Sequence, residues 1–68
     1  MRLTVNGAQA SVADDATVDA AIEIAGGTVG HRGVAVAVNG EVVPRGKWPH
    51  TRLSEDDRVE VLRAIGGG

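Results

Sequence analysis

Two Asn-Gly dipeptides, at residues 6–7 and 39–40, constrain the fold more than any other feature of the sequence. Both central residues of a type I′ turn need positive φ, which Asn and Gly tolerate best. The first dipeptide follows a segment in which apolar and polar residues alternate, the period of a half-buried strand, and therefore predicts a β-hairpin. The second predicts another tight turn.

Strands are predicted on both sides of each turn. Residues 1–5 form the first strand, and residues 8 to about 12 form a weaker return strand, expected near a sheet edge. Residues 33–38 are the most apolar run and carry no charge, which predicts the central strand of the sheet. Three of its side chains are expected to face the helix: Val34, Val36 and Val38.

The remaining strands are shorter or end the chain. Residues 41–43 form a short return strand, which Pro44 ends because proline has no N–H for the ladder. Residues 45–52 read as a polar connection that is interrupted by Pro49. Residues 58–61 alternate again and begin the last strand, which is expected to continue through about Ala64 or Ile65.

One helix is predicted between the two hairpins. Thr17 is a suitable N-cap, whose hydroxyl would accept a hydrogen bond from a first-turn N–H. Gly26 and Gly27 would end the helix after nine or ten residues. One face carries an apolar stripe at helical spacing that must pack on a sheet; it consists of Val18, Ala21, Ile22 and Ala25.

This order of elements predicts an α+β fold, with a mixed β-sheet packed on one main helix. Hydrophobic residues make up 43% of the 68 residues, and Trp48 is the sole aromatic residue. The core must therefore consist of Val, Ile, Leu and Ala. We expect one domain over residues 1–65, followed by a flexible C-terminal glycine tail over residues 66–68.

The composition excludes several classes of function. The absence of cysteine rules out disulfides, thiolate metal sites and cysteine nucleophiles. The net charge is −2 with both signs interspersed, and one Trp cannot form a stacking platform, so no nucleic-acid partner is expected. No stretch approaches the roughly 20 apolar residues of a membrane span, and residues 1–4 do not resemble a signal peptide. We expect a cytoplasmic protein that has no membrane association.

Catalytic motifs are not found. His31 and His50 lie in predicted loops without a partner or pocket, so we interpret them as solvated side chains. Two histidines without cysteines are weak evidence for a metal site. The glycine-containing loops lack the spacing of phosphate-binding loops. Trp48 has two interpretations, a lid over one edge of the core or an exposed anchor for a partner. The sequence therefore predicts a binding or carrier module, and not an enzyme.

The chain ends in three glycines, Gly66, Gly67 and Gly68. A floppy end or a cloning remnant is the simplest explanation of such a run. However, consecutive glycines are also the narrowest peptide available and can thread a tunnel that rejects side chains. A free α-carboxylate at Gly68 would be unreactive until it is activated as an acyl adenylate. Since no internal group offers competing chemistry, this carboxylate is the best candidate for a functional group.

Over essentially its whole length the chain resembles the ThiS family, the sulfur carriers of thiazole formation within the ubiquitin-like β-grasp proteins. The resemblance lies in the length, the opening strand with its Asn-Gly turn, residues 36–45, and residues 56–61 leading to 65–68. The most specific motif is an Asp-x-Val-Glu strand that precedes a terminal glycine run. The resemblance implies a β-grasp fold and a sulfur-carrier function.

The resemblance also implies partners and site residues. An E1-like adenylating enzyme would use ATP to activate Gly68, and a persulfide enzyme would supply the sulfur. The thiocarboxylate on Gly68 would then donate it to thiazole synthase. Gly67 and Gly68 match the family's di-glycine end, Gly66 is an additional glycine before it, and the carrier itself binds no cofactor or metal.

Alternatives stay open at this point. The small subunit of molybdopterin synthase is similar in fold and tail, although it usually has a proline- and aromatic-rich approach to its glycines. A carrier for another pathway, or a ubiquitin-like interaction module with an idle tail, also fits. Partners are expected to dock on the exposed sheet face near the root of the tail, including Leu62 and Ile65.

Overall fold

The computed structural model describes residues 1–26 and 33–63. These residues form one five-stranded sheet, one α-helix and one 3₁₀ helix. In chain order the elements are β1 (Arg2–Val5), β2 (Ala8–Ser11), α1 (Val18–Ile24), β3 (Val34–Val38), β4 (Glu41–Val43), the 3₁₀ helix (Arg45–His50) and β5 (Arg58–Arg63). The predicted α+β class, with a mixed sheet on one main helix, is confirmed.

The sheet has the strand order β2-β1-β5-β3-β4. The prediction that residues 33–38 form the central strand was wrong, because β5 occupies the centre. It pairs in parallel with β1 on one flank and antiparallel with β3 on the other. Since β5 lies between the two hairpins, it joins them into one sheet. The predicted edge position of β2 is confirmed.

Both Asn-Gly turns adopt the conformation that the sequence predicts. Asn6 and Gly7 have φ values of 51° and 82°, and Asn39 and Gly40 have values of 53° and 83°. The first turn joins the antiparallel pair β1 and β2, and the second joins β3 and β4. Pro44 directly follows β4, as predicted.

Helix α1 is shorter than predicted, with seven residues. Thr17 occupies the N-cap position, but its side chain makes no capping hydrogen bond, so that prediction was wrong. Instead the Thr51 carbonyl accepts the N–H of Val18 at 3.0 Å, and this contact satisfies a donor at the helix start. Gly26 has a φ of 82°, the left-handed conformation expected just beyond a helix end. Gly27 lies outside the described residues.

The core lies between α1 and one face of the sheet. The predicted stripe on α1 is confirmed, since Val18, Ala21 and Ile22 are fully buried and Ala25 is half-buried. Of the β3 valines, Val36 is buried and the other two pack against the core. The buried side chains of the described residues are all hydrophobic: Leu3, Val5, Val18, Ala21, Ile22, Val36, Trp48, Leu53, Val59 and Val61.

Trp48 closes one edge of this core. It lies in the 3₁₀ helix, within the segment that was predicted to be a polar connection, and only 2% of it is exposed. Its indole Nε1–H donates to the Val43 carbonyl at 2.9 Å, which ties the side chain to the last residue of β4. The interpretation of Trp48 as a lid is therefore confirmed. His50 lies in the same 3₁₀ helix and is exposed.

Candidate functional site

The candidate site begins where β5 ends. Arg63 is the last residue of β5, and its Nη1 donates to the Gly26 carbonyl beyond helix α1 at 3.2 Å. A positive side chain near a helix C-terminus complements the partial negative charge there. The predicted continuation of the strand to Ala64 or Ile65 lies outside the described residues, and so do the tail, residues 66–68, and His31.

The side chain of Asn6 holds β5 close to its end. Its Nδ2 donates to the Val61 carbonyl at 3.2 Å, and its Oδ1 accepts the Val61 N–H at 2.8 Å. The backbone pairing of β1 with β5 ends at Val5 and Val59. The Asn6 carboxamide therefore supplies the donor and the acceptor that a longer strand β1 would have provided. We call this pair of hydrogen bonds the Asn6 clamp.

The second Asn-Gly turn holds the other end of β5 from the opposite flank. The Asn39 Oδ1 accepts the Arg58 N–H at 2.9 Å, and the Asn39 N–H donates to the Arg58 carbonyl at 2.7 Å. The Asp57 carboxylate fixes the Asn39 side chain, accepting from its Nδ2 at 2.9 Å and from the Ser54 N–H at 2.7 Å. Both turns thus hold the central strand as well as closing their hairpins.

Sequence reasoning missed these roles of Asn6, Asn39 and Asp57. The Asn-Gly pattern explains the local turn fully, so nothing in it indicates a contact with a strand 55 residues away for Asn6 or 19 residues away for Asn39. Asp57 is half-buried and accepts two hydrogen bonds. An available signal was the polar residue directly after each alternating strand, since such a side chain can continue the ladder.

The sheet face that points away from α1 carries an exposed apolar patch beside the end of β5. Val42 is 72% exposed and Leu62 is 66% exposed. Between them, on β3, Ala37 lies opposite Val42 and Ala35 lies opposite Leu62. Residues directly opposite in neighbouring strands share a face of the sheet. These four residues form what we call the open-face patch, and Leu62 lies where docking was predicted.

The described residues offer little internal chemistry. All buried residues in the ranges 1–26 and 33–63 are hydrophobic, so no acid, base or nucleophile there is fully buried; the Oδ1 of half-buried Asp19 is shielded from solvent without a hydrogen-bond partner. In the same ranges no three His, Asp or Glu side chains come together as metal ligands. No helix in the described part of the chain is long and apolar enough to cross a membrane. Among the described residues, the candidates for a functional role are therefore the end of β5 and the open-face patch.

A five-stranded mixed sheet that packs on a single helix is the ubiquitin-like β-grasp fold. The sequence profile of the ThiS family matches residues 3–68, and the chain belongs to this family. The family consists of small sulfur carriers of thiamine biosynthesis.

Solved structures agree with this assignment. The crystal structure of the thiamine biosynthesis protein ThiS from Geobacter metallireducens is 34% identical, with a TM-score of 0.75 and full coverage of both chains. A solution NMR structure of a thiamine biosynthesis protein from the same organism is also 34% identical, with a TM-score of 0.76. It is matched over 100% of this chain and 88% of that one.

A curated relative is much longer. The protein named thiazole synthase from Paramagnetospirillum magneticum is 34% identical over all 68 residues of this chain. The chain spans 20% of the length of that protein. A segment that resembles the whole of this chain therefore occurs within a larger protein that bears the name of a synthase.

Proposed function

We propose that this protein is a sulfur carrier for thiazole formation and that the α-carboxylate of Gly68 carries the sulfur. The observation that supports this most is the position of β5. It is the central strand, is hydrogen-bonded on both flanks, and ends at Arg63, five residues before Gly68. Five residues span at most roughly 18 Å, enough to reach into a partner's active site. We call residues 64–68 the arm, and the glycines at 66 and 67 would form its narrow part.

The chemistry would take place in partner enzymes. A carboxylate oxygen of Gly68 attacks the α-phosphorus of ATP, and pyrophosphate leaves. The terminal sulfur of a persulfide then attacks the acyl carbon, and AMP leaves with the carboxylate oxygen that is bound to phosphorus. A second thiol attacks the cysteine sulfur of this acyl persulfide, so that the S–S bond breaks. The thiocarboxylate leaves on Gly68, and a disulfide remains on the donor proteins. The carrier contributes the arm and a docking surface, and the acid–base groups belong to the partners.

We propose that the open-face patch docks the adenylating enzyme. Val42 and Leu62 expose most of their surface, and Leu62 lies one residue before the end of β5. An enzyme that covers this patch would therefore hold the arm next to its active site. Ile65 lies outside the described residues and is proposed as a further docking residue near the root of the arm.

Thiazole synthase is the proposed sulfur acceptor. The relative from Paramagnetospirillum magneticum supports this partner, because one chain there combines the name thiazole synthase with a segment like this protein. Domains that are joined in one protein often interact when they occur as separate chains. The family match also favours thiamine biosynthesis over the molybdopterin pathway.

ATP–pyrophosphate exchange with the cognate adenylating enzyme tests the role of Gly68. The wild-type chain should support exchange, whereas a chain with one alanine added after Gly68 should not. The added residue moves the α-carboxylate one position further and places a methyl side chain next to it. Equal exchange rates for the two chains would refute the proposal. Both proteins should unfold at the same urea concentration, which controls for damage to the fold.

The docking surface is tested by two matched substitutions. L62D places a charge in the open-face patch, whereas I24D places the same charge on α1, where Ile24 is 47% exposed. We expect L62D to weaken binding to the adenylating enzyme by roughly tenfold or more, and I24D to change it little. Equal affinities of the two variants in isothermal titration calorimetry would argue against the patch.

A further inference from the structure

We infer that Asn6 is a positioning residue for the carrier chemistry, because its clamp fixes where the last strand leaves the sheet. This inference rests on the proposed function. Asn6 lies 55 residues before Val61 in the sequence and bonds both backbone groups of that residue. Its role would be to set the position and direction from which the arm enters a partner's active site.

The need for a clamp follows from the two flanks of β5. On one flank β3 accompanies β5 to its last residue, with Val34 opposite Arg63. On the other flank β1 stops at Val5, which lies opposite Val59. The chain turns back at Asn6 and Gly7, so without the carboxamide the Val61 N–H and carbonyl on this flank would have no partner from β1. The Asn6 clamp makes the β1 flank two residues longer.

The hydrogen-bonding pattern explains why asparagine suits this position. A carboxamide has one donor end and one acceptor end, as the backbone of a neighbouring strand has. Asparagine also tolerates the φ of 51° that the turn imposes. Gly would allow the same turn but would leave Val61 unbound. Asp would keep the acceptor for the N–H but would put a second oxygen against the carbonyl.

A displacement at Val61 would pass to the root of the arm. Val61 lies two residues before Arg63, the last residue of β5, so a shift of Val61 moves the point from which residues 64–68 start towards a partner's active site. A misplacement of about 1 Å at a reacting group can lower a rate roughly a hundredfold. The clamp and Leu62 of the open-face patch lie on adjacent residues, so docking surface and exit point are fixed together.

The chain contains a matched control for this inference. N6G and N39G make the same substitution in the same dipeptide, and both leave a Gly-Gly sequence that supports the turn. N6G removes the clamp next to the end of β5, whereas N39G removes side-chain bonds at Arg58, where β5 begins. N6D is a second clamp variant that keeps the acceptor but lacks the donor.

The first readout is amide hydrogen exchange by NMR. Leu62 pairs with β3 and not with Asn6, so its exchange rate reports on the end of the strand and not on the deleted bond. We expect this rate to rise by about fivefold or more in N6G, with a smaller rise in N6D, and to stay unchanged in N39G. An unchanged rate at Leu62 in both clamp variants would overturn the inference.

The second readout is steady-state adenylation, measured at temperatures where each variant is fully folded. We expect N6G to lower kcat by roughly tenfold while KM changes by less than about twofold, because the patch remains but the arm is misdirected. N39G should keep both constants within about twofold. Equal kcat values for N6G and N39G, with an active wild type, would overturn the positioning role. A wild-type chain that is not adenylated at all would instead refute the proposed function, and the exchange rates would then decide the clamp alone.

Discussion

The substitution I22A offers the sharpest test of the core, because helix α1 contains its own control. Ile22 is fully buried, whereas Ile24, two residues later, is 47% exposed. The same change to alanine can therefore be made at a buried and at an exposed position of one helix.

The expected difference follows from burial. Ile to Ala removes three carbons, each worth about 0.8 kcal/mol when it is fully buried, and the cavity adds to this loss. We expect I22A to lower the free energy of unfolding by about 3–4 kcal/mol. At Ile24 only about half of the free energy of burying these carbons is lost, and no cavity forms. Alanine also has the higher helix propensity, so I24A should cost about 1 kcal/mol or less. A chain of 68 residues has roughly 3–10 kcal/mol in total, so I22A approaches unfolding.

Urea unfolding measures both variants with a built-in probe. Trp48 is the sole aromatic residue and is buried, so its fluorescence reports on the integrity of the core. With an m-value of about 1 kcal/mol/M, the two midpoints should differ by about 2–3 M. Midpoints that agree within about 0.5 M would refute the packing of α1 on the sheet as described.

Three further substitutions test individual contacts. W48F keeps most of the packing but removes the hydrogen bond to the Val43 carbonyl, and should cost about 1–2 kcal/mol in a urea titration followed by circular dichroism. D57A removes the acceptor for Ser54 and Asn39 and should cost about 1–3 kcal/mol in the same assay; no loss would refute the role assigned to Asp57. D56G should instead leave stability unchanged or raise it by up to about 1 kcal/mol in thermal unfolding, because Asp56 has a φ of 67° that glycine adopts without strain.

The parts of the fold that sequence predicted well are those fixed by neighbouring residues. An Asn-Gly turn specifies its conformation within two residues, so both hairpins and the end of β4 at Pro44 could be predicted. The stripe on α1 repeats at helical spacing and identified its buried face. Leu62 could be placed on an exposed face because it alternates with buried Val61 in β5. Each of these predictions depends only on local chemistry.

The parts that were missed depend on contacts between distant residues. The parallel pairing of β1 with β5 joins residues 4–5 to 58–59, and neither segment has a sequence pattern that identifies the strand with which it pairs. For this reason the apolar run at residues 33–38 predicts the central strand, although β3 lies second from an edge. The Thr17 hydroxyl does not cap α1; the Thr51 carbonyl accepts the Val18 N–H, and the Thr17 carbonyl accepts the Ala20 N–H. The clamp by Asn6 was missed for the same reason.

The central claim is that Gly68 carries sulfur as a thiocarboxylate, and intact mass spectrometry tests it most directly. The protein would be incubated with its adenylating enzyme, ATP and a persulfide sulfur source, and the products fragmented to locate any change. We predict a mass increase equal to the replacement of one oxygen by one sulfur, confined to the C-terminal residue, and its loss when thiazole synthase and its substrates are added. An unchanged mass, with an adenylating enzyme and sulfur source that modify another ThiS protein in parallel, would contradict the claim.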